Sequence, residues 1–90
     1  MSKYKKILLK ILSGQSDKNI AFNDIFSLLS HLGFEYRTKG SHVIFRKESL
    51  NMKINIQKEG ANTKPYQVKQ IRNLILTNKL GKEIIGEDDE

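Results

Sequence analysis

The residues best suited to chemistry are one histidine and the cations around it. His42 stands in a run of small and basic residues, namely Arg37, Lys39, Gly40, Ser41 and Arg46. An imidazole exchanges its proton near neutral pH, and clustered cations attract phosphate groups. This combination points to chemistry or binding at a nucleic-acid backbone.

Composition is typical of one small globular domain. The chain has 90 residues, of which 38% are hydrophobic and 29% are charged, and this length supports a single modest core. No apolar run approaches the roughly 18 residues that a membrane helix needs, so we expect no membrane contact. Residues 1–12 lack the continuous apolar block and cleavage site of a signal peptide, so the expected location is the cytoplasm. Cysteine is absent, which excludes disulfides, thiolate nucleophiles and Cys-based zinc sites.

The formal net charge of +6 conceals a more basic body. Four of the ten acidic residues lie in the last four positions, so residues 1–86 hold 16 bases against 6 acids (10 minus 4). Such a field favours a polyanionic partner, although a solvated basic surface is the simpler alternative. Because the charge is concentrated between Arg37 and Arg72, we favour nucleic acid as the partner.

Hydrophobic periodicity predicts three helices that support the basic segment. Apolar residues spaced three and four apart predict an amphipathic helix that ends near Ser13, a second helix from an Asn23 N-cap to Gly33, and a third that begins at Pro65. Residues 16–19 are predicted as a polar linker. His31, in the last turn of the second helix, is expected at the surface.

Between the second and third helices the hydrophobic period changes to two. This alternation predicts a meander of three antiparallel strands, starting near residues 34, 41 and 52, followed by a loop over residues 57–63. Val43 and Phe45 are the better core pair, so His42 and Arg46 should face away from the helices. The predicted fold class is α+β, with helices on one face of the sheet and the other face open.

Elimination narrows the chemistry available to His42. Ser41 cannot easily use it as a general base, because neighbouring strand side chains project to opposite faces. Neither His31 nor His42 has carboxylate partners at metal-ligand spacing, so we expect no metal and no cofactor. Two alternatives are left: His42 is an ordinary strand residue beside a turn, or it takes part in RNA cleavage. In such cleavage the 2′-hydroxyl is the nucleophile, His42 moves a proton and cations stabilise the phosphorane. Tyr36 and Lys39 are candidates for the second proton-transfer group.

From Asn23 to Leu80 the chain resembles a toxin of the HicA family, which are small bacterial mRNA interferases from toxin–antitoxin pairs. The similarity rests on Leu32, Gly33, Phe34, Lys39, Gly40, Ser41, His42 and Phe45, followed by Lys64 and Pro65. It implies a fold like the double-stranded-RNA-binding domain, ribosome-independent mRNA cleavage and a catalytic role for His42. It also implies a HicB-type antitoxin that covers the active site. The chain departs from the shortest members in residues 2–21 and in Val43, where they often carry a second histidine.

We therefore expect an N-terminal helix and linker in residues 1–21, a toxin domain in residues 22–82 and a disordered acidic tail in residues 83–90. The expected RNA-binding residues, beside the catalytic His42, are Arg37, Lys39, Gly40, Ser41, Arg46, Lys53 and Lys64. Lys64 precedes a helix start, where free N–H groups favour phosphate. A non-catalytic RNA-binding module that uses the same basic face is the alternative function.

Overall fold

A computed structural model describes residues 3–82 and 84 of the chain. Within these residues the helices are α1 (Lys3–Ser13), α2 (Phe22–His31) and α3 (Pro65–Thr77), and the strands are β1 (Glu35–Lys39), β2 (His42–Lys47), β3 (Met52–Glu59) and β4 (Asn62–Thr63). Short 3₁₀ turns at Asp17–Asn19 and Glu48–Leu50 lie in the connections before α2 and β3. The strands form one antiparallel sheet in the order β1-β2-β3-β4.

The first predicted helix is confirmed as α1. Its apolar residues recur at helical spacing, and Ile7, Leu8 and Ile11 are buried in a core shared with α2, α3 and the sheet. The helix ends before Gly14, whose φ of 71° is a left-handed conformation that glycine adopts without strain. α1 is therefore an integral part of the folded unit.

The predicted N-cap of the second helix is wrong by two residues. α2 begins at Phe22, and the extended Ala21 occupies the N-cap position in place of Asn23. Ala21 forms an isolated antiparallel bridge with Asn62, and the Phe22 N–H donates to the Ala61 carbonyl over 3.0 Å. Tertiary pairing with the segment around β4 thus sets where α2 begins.

The predicted linker over residues 16–19 is folded against α3. The Arg72 guanidinium donates to both carboxylate oxygens of Asp17, at 2.9 and 3.2 Å, and to the Ile11 carbonyl at 3.1 Å. The hydrogen bond to Asp17 raises the pKa of Arg72, while burial opposes that rise and the Asp17 charge adds to it. One side chain of α3 therefore holds both the end of α1 and the 3₁₀ turn that follows it.

The predicted assignment of β2 side chains to the two faces of the sheet is confirmed. Phe45 pairs with Ile54, and Val43 with Ile56. Phe45 and both isoleucines are buried, and Val43 packs against the same cluster. Cross-strand partners share a face, so this is the face that meets the helices.

The hairpin between β1 and β2 contains no bulge, which would have moved the side chains of one strand to the other face. Lys39 pairs directly with His42, which leaves only Gly40 and Ser41 in the loop. Gly40 has a φ of 60° and Ser41 a negative φ. Glycine at the first central position is typical of a type II′ hairpin turn.

The sheet has a fourth strand that hydrophobic alternation does not predict. The prediction of a loop over residues 57–63 after a three-stranded sheet is wrong, because β3 continues to Glu59. Strand β4 pairs with the end of β3, with Asn62 opposite Glu59 and Thr63 opposite Lys58. Gly60, at a φ of 63°, allows the tight turn between them. On its other side β4 lies against the segment before α2, where the Thr63 N–H donates to the Ile20 carbonyl over 2.9 Å.

α3 begins with Pro65 at its first position, as predicted, and buries Val68, Ile71 and Ile75. Strands β1 to β3, with α2 and α3 on one face, form the predicted α+β fold of the double-stranded-RNA-binding-domain type. Ile84 is also buried in the core, so the folded chain continues past residue 82. The other residues of the predicted tail, 83 and 85–90, lie outside the described residues.

Within the described part of the chain, no helix has the length and hydropathy needed to cross a membrane.

Candidate functional site

The face of the sheet opposite the core carries the candidate site. The cross-strand register places one polar set of side chains there, consisting of Glu35, Arg37, Lys39, His42, Arg46, Lys53, Asn55 and Gln57, with Ile44 among them. We call this surface the open face. It brings five of the sequence-predicted site residues together on three adjacent strands, namely Arg37, Lys39, His42, Arg46 and Lys53.

Three cations of the open face line one shallow depression. Arg37 from β1, Arg46 from β2 and Lys53 from β3 surround about 200 Å³ of space. The other lining residues are Glu35, Tyr36 and Ile44. Arg46 also meets Glu48 at 3.8 Å, but both side chains are largely exposed, and such surface pairs contribute little. Three cations against the single carboxylate of Glu35 leave the depression with a net positive charge, suited to a phosphate group.

His42 is half-buried and held by one hydrogen bond to the neighbouring strand. Its Nδ1 lies 2.9 Å from Oδ1 of Asn55. A carboxamide oxygen can only accept, so Nδ1–H is the donor and the neutral ring keeps its lone pair on Nε2. This arrangement selects the tautomer that a general base needs at Nε2.

The structure separates the two candidates for the second proton-transfer group. The Tyr36 ring packs on the helix side of the sheet, with its centroid 4.5 Å from that of Phe26 and 6.3 Å from that of Phe45. The ring therefore lies on the opposite face of the sheet from His42, although Tyr36 also contributes to the lining of the basic depression. Lys39 is the direct cross-strand partner of His42 on the open face.

Three other predicted site residues lie off the strands. Gly40 and Ser41 form the hairpin turn next to His42, and Gln57 Nε2 donates to the Ser41 hydroxyl over 3.5 Å. Lys64 occupies the N-cap position of α3. It is on a different element from the basic depression and is not one of the residues that line it.

A second depression adjoins the first, between β3 and α3. It encloses about 630 Å³, and both His42 and Lys53 contribute to its lining. Gln67, buried in α3, holds the two walls together, since its Nε2 donates to the Asn55 carbonyl at 3.0 Å and its Oε1 accepts the Gln57 N–H at 2.9 Å. We call this depression the amide groove, because asparagine and glutamine side chains dominate its polar lining.

Sequence reasoning missed Asn55 and Gln67. The only available signal for Asn55 was its position between the core residues Ile54 and Ile56, which places it on the face that also holds His42. Gln67 gave no signal, because a polar residue beside Val68 is expected at the helix surface.

Within residues 3–82 and 84, no group of three or more His, Cys, Asp or Glu side chains is arranged to hold a metal ion.

The fold and the site together define a class of protein: a small α+β domain of the double-stranded-RNA-binding type with a histidine on a basic sheet face. Residues 22–78 match the family described as "HicA toxin of bacterial toxin-antitoxin". No curated protein and no solved structure matches the chain. Because the family match covers more than half of the 90 residues, the chain belongs to the HicA toxin family. It is a toxin of a toxin–antitoxin system, a family in which a cognate antitoxin is the partner.

Proposed function

We propose that the protein is a metal-independent endoribonuclease that cleaves mRNA, with His42 as its single catalytic histidine. The observation that carries the proposal is the hydrogen bond from His42 Nδ1 to Asn55, which leaves Nε2 available on the open face. The basic depression formed by Arg37, Arg46 and Lys53 supports it, because Lys53 also lines the neighbouring depression to which His42 contributes.

In the proposed reaction the RNA provides its own nucleophile. The 2′-oxygen attacks the adjacent phosphorus while Nε2 of His42 takes the hydroxyl proton. The bond from phosphorus to the 5′-oxygen then breaks, which leaves a 2′,3′-cyclic phosphate and a 5′-hydroxyl. Arg37, Arg46 and Lys53 stabilise the charge on the phosphorane. The departing 5′-oxygen takes its proton from Lys39 or from water.

The proposed partner is an antitoxin of the HicB type that covers this site. Its family gives the chain a cognate antitoxin, and the charge of the open face favours an acidic one. Opposite charges on the two surfaces would accelerate their association. Carboxylates of the antitoxin would occupy the position of the scissile phosphate.

The test combines growth on induced expression with cleavage of purified RNA. Wild type and His31→Ala should arrest growth and cleave RNA, with or without EDTA, because the mechanism uses no metal. His42→Ala should lose cleavage by about 10²- to 10⁴-fold, the usual contribution of a general base, with an unchanged thermal midpoint. Full cleavage by folded His42→Ala would exclude the catalytic assignment. Binding of RNA by wild type without cleavage would establish the non-catalytic RNA-binding module in its place.

A further inference from the structure

The helix wall of the amide groove is a stripe of uncharged side chains. Tyr66, Gln70, Asn73 and Thr77 line it, and their spacing of four, three and four residues places them on one face of α3. The nearby cations of α3, Lys69 and Arg72, do not line the groove. The chain has 16 basic residues, yet this wall beside a positive depression is uncharged. The wall is therefore suited to an uncharged part of a ligand rather than to its phosphate.

The side chains of this stripe are free to bind. Gln70 and Asn73 are exposed, and their amides make no hydrogen bond to any other residue in the part of the chain that the structure describes. Tyr66 keeps 58% of its surface exposed. A carboxamide offers both donors and an acceptor, which matches the mixed edge of a nucleobase, and an exposed aromatic ring offers a stacking surface.

The amide groove and the basic depression are adjacent, since Lys53 contributes to the lining of both. His42 lines the amide groove itself. A phosphate held by Arg37, Arg46 and Lys53 would therefore place a neighbouring base within the groove. The groove volume of about 630 Å³ falls within the roughly 300–1,000 Å³ of small-ligand sites.

We infer that the amide groove binds one unpaired nucleobase next to the phosphate at His42, with the base stacked on Tyr66 and its edge hydrogen-bonded to Gln70 and Asn73. The inference rests on the proposed ribonuclease function and specifies its substrate as single-stranded RNA. Bases in an A-form duplex are stacked and paired, and their major-groove edges are too deep for side chains to reach. Tyr66, Gln70 and Asn73 are thus the residues that determine which sequence is cut.

Binding tests this inference independently of catalysis. In the His42→Ala protein, a short single-stranded RNA should bind more tightly than a duplex of the same sequence. Tyr66→Ala should weaken single-strand binding by about 5- to 150-fold, the range expected for loss of one stacked base. Tyr66→Phe should retain the affinity. Leu76→Ala, exposed on the same helix outside the groove, is the matched control.

Cleavage of a random-sequence RNA pool tests the specificity. Mapping the cut sites should show a base preference beside the scissile bond that the double variant Gln70→Leu, Asn73→Leu flattens and Leu76→Ala retains. Two results would overturn the inference and leave the ribonuclease function intact. One is an unchanged base preference in the double variant, and the other is equal single-strand affinity of the His42→Ala protein with and without Tyr66→Ala. Absence of His42-dependent cleavage would instead overturn the ribonuclease function. The binding measurements would still show whether the amide groove binds an unpaired base.

Discussion

His42 and Asn55 share a hydrogen bond of 2.9 Å between Nδ1 and Oδ1 that links β2 to β3. Cross-strand pairing fixes the position of both backbones, with His42 opposite Gln57 and Asn55 opposite Ile44. The imidazole orientation is therefore set by a diagonal neighbour on the open face, within reach of long or ring-bearing side chains. Asn55 is a positioning residue in the proposed mechanism, because it acts on the substrate through His42.

Removing the acceptor at position 55 should slow RNA cleavage. Asn55→Leu keeps the approximate size of the side chain but cannot accept from Nδ1–H, so kcat should fall by about 10-fold, the equivalent of one hydrogen bond. Asn55→Asp retains an acceptor and should restore most of the rate. Thermal melting should show both variants folded, since Asn55 is exposed. Equal rates for the two variants would show that the hydrogen bond has no part in catalysis.

The basic depression should account for much of the salt dependence of RNA binding. Each contact between a cation and a phosphate adds about 0.7 to the slope of log affinity against log salt for a single strand. Arg37→Gln, Arg46→Gln and Lys53→Gln should each reduce the slope by about that amount, as measured by titration of a labelled RNA. Lys69→Gln, exposed on α3 and outside the depression, should retain the wild-type slope. A slope of zero for wild type would remove RNA as a ligand.

The Arg72–Asp17 pair should stabilise the fold. Its side chains are only 15% and 23% exposed, and Arg72→Ala removes both hydrogen bonds to the Asp17 carboxylate. It also removes one of the two hydrogen bonds that the Ile11 carbonyl accepts, the other being from the Gly14 N–H. The free energy of unfolding in urea should fall by about 1–3 kcal/mol, whereas the exposed Lys69→Ala should change it by less than about 0.5 kcal/mol. Because the pKa of Arg72 is raised, its contribution is complete at neutral pH and is lost only as the pH rises through that raised value.

The antitoxin should leave a footprint on the open face. In the purified toxin–antitoxin complex, amide hydrogen exchange should slow across residues 37–46, because this segment holds His42 and two of the three cations of the basic depression. α1 lies outside the residues that match the family and provides the internal comparison. Protection confined to α1 would mean that the antitoxin does not inhibit by covering His42.

The sequence predicts which side chains lie on each face of the sheet better than it predicts the hydrogen bonds between them. Alternation of Val43 and Phe45 with His42 was enough to place the imidazole on the open face, because side-chain direction in a strand follows from the backbone alone. The bond between His42 and Asn55 depends on the register of two strands, and hydrophobic pattern does not identify hydrogen-bonding pairs. Gln67 is not predicted for the same reason. Its side chain is buried because it hydrogen-bonds two backbone groups of β3, the Gln57 N–H and the Asn55 carbonyl.

The sequence pattern also does not predict strand β4 or the residue at which α2 begins. Strand β4 has only two residues, Asn62 and Thr63, too few to show a period of two. Asn23 is a favourable N-cap residue, but α2 begins at Phe22. The Phe22 side chain is buried, and its N–H donates a hydrogen bond to the Ala61 carbonyl. Local preference is a weaker influence than tertiary contacts at such positions.

The contact between Ile11 and Arg72 has a consequence for synthesis of the protein. The two residues are 61 positions apart, and the apolar face of α1 shares its core with Ile75 and Ile84. A chain that is still leaving the ribosome therefore has α1 available long before the residues that cover it. Contacts of such long sequence separation form late. The core of this toxin therefore closes only after Arg72, Ile75 and Ile84 have emerged, and until then the apolar face of α1 lacks part of its cover.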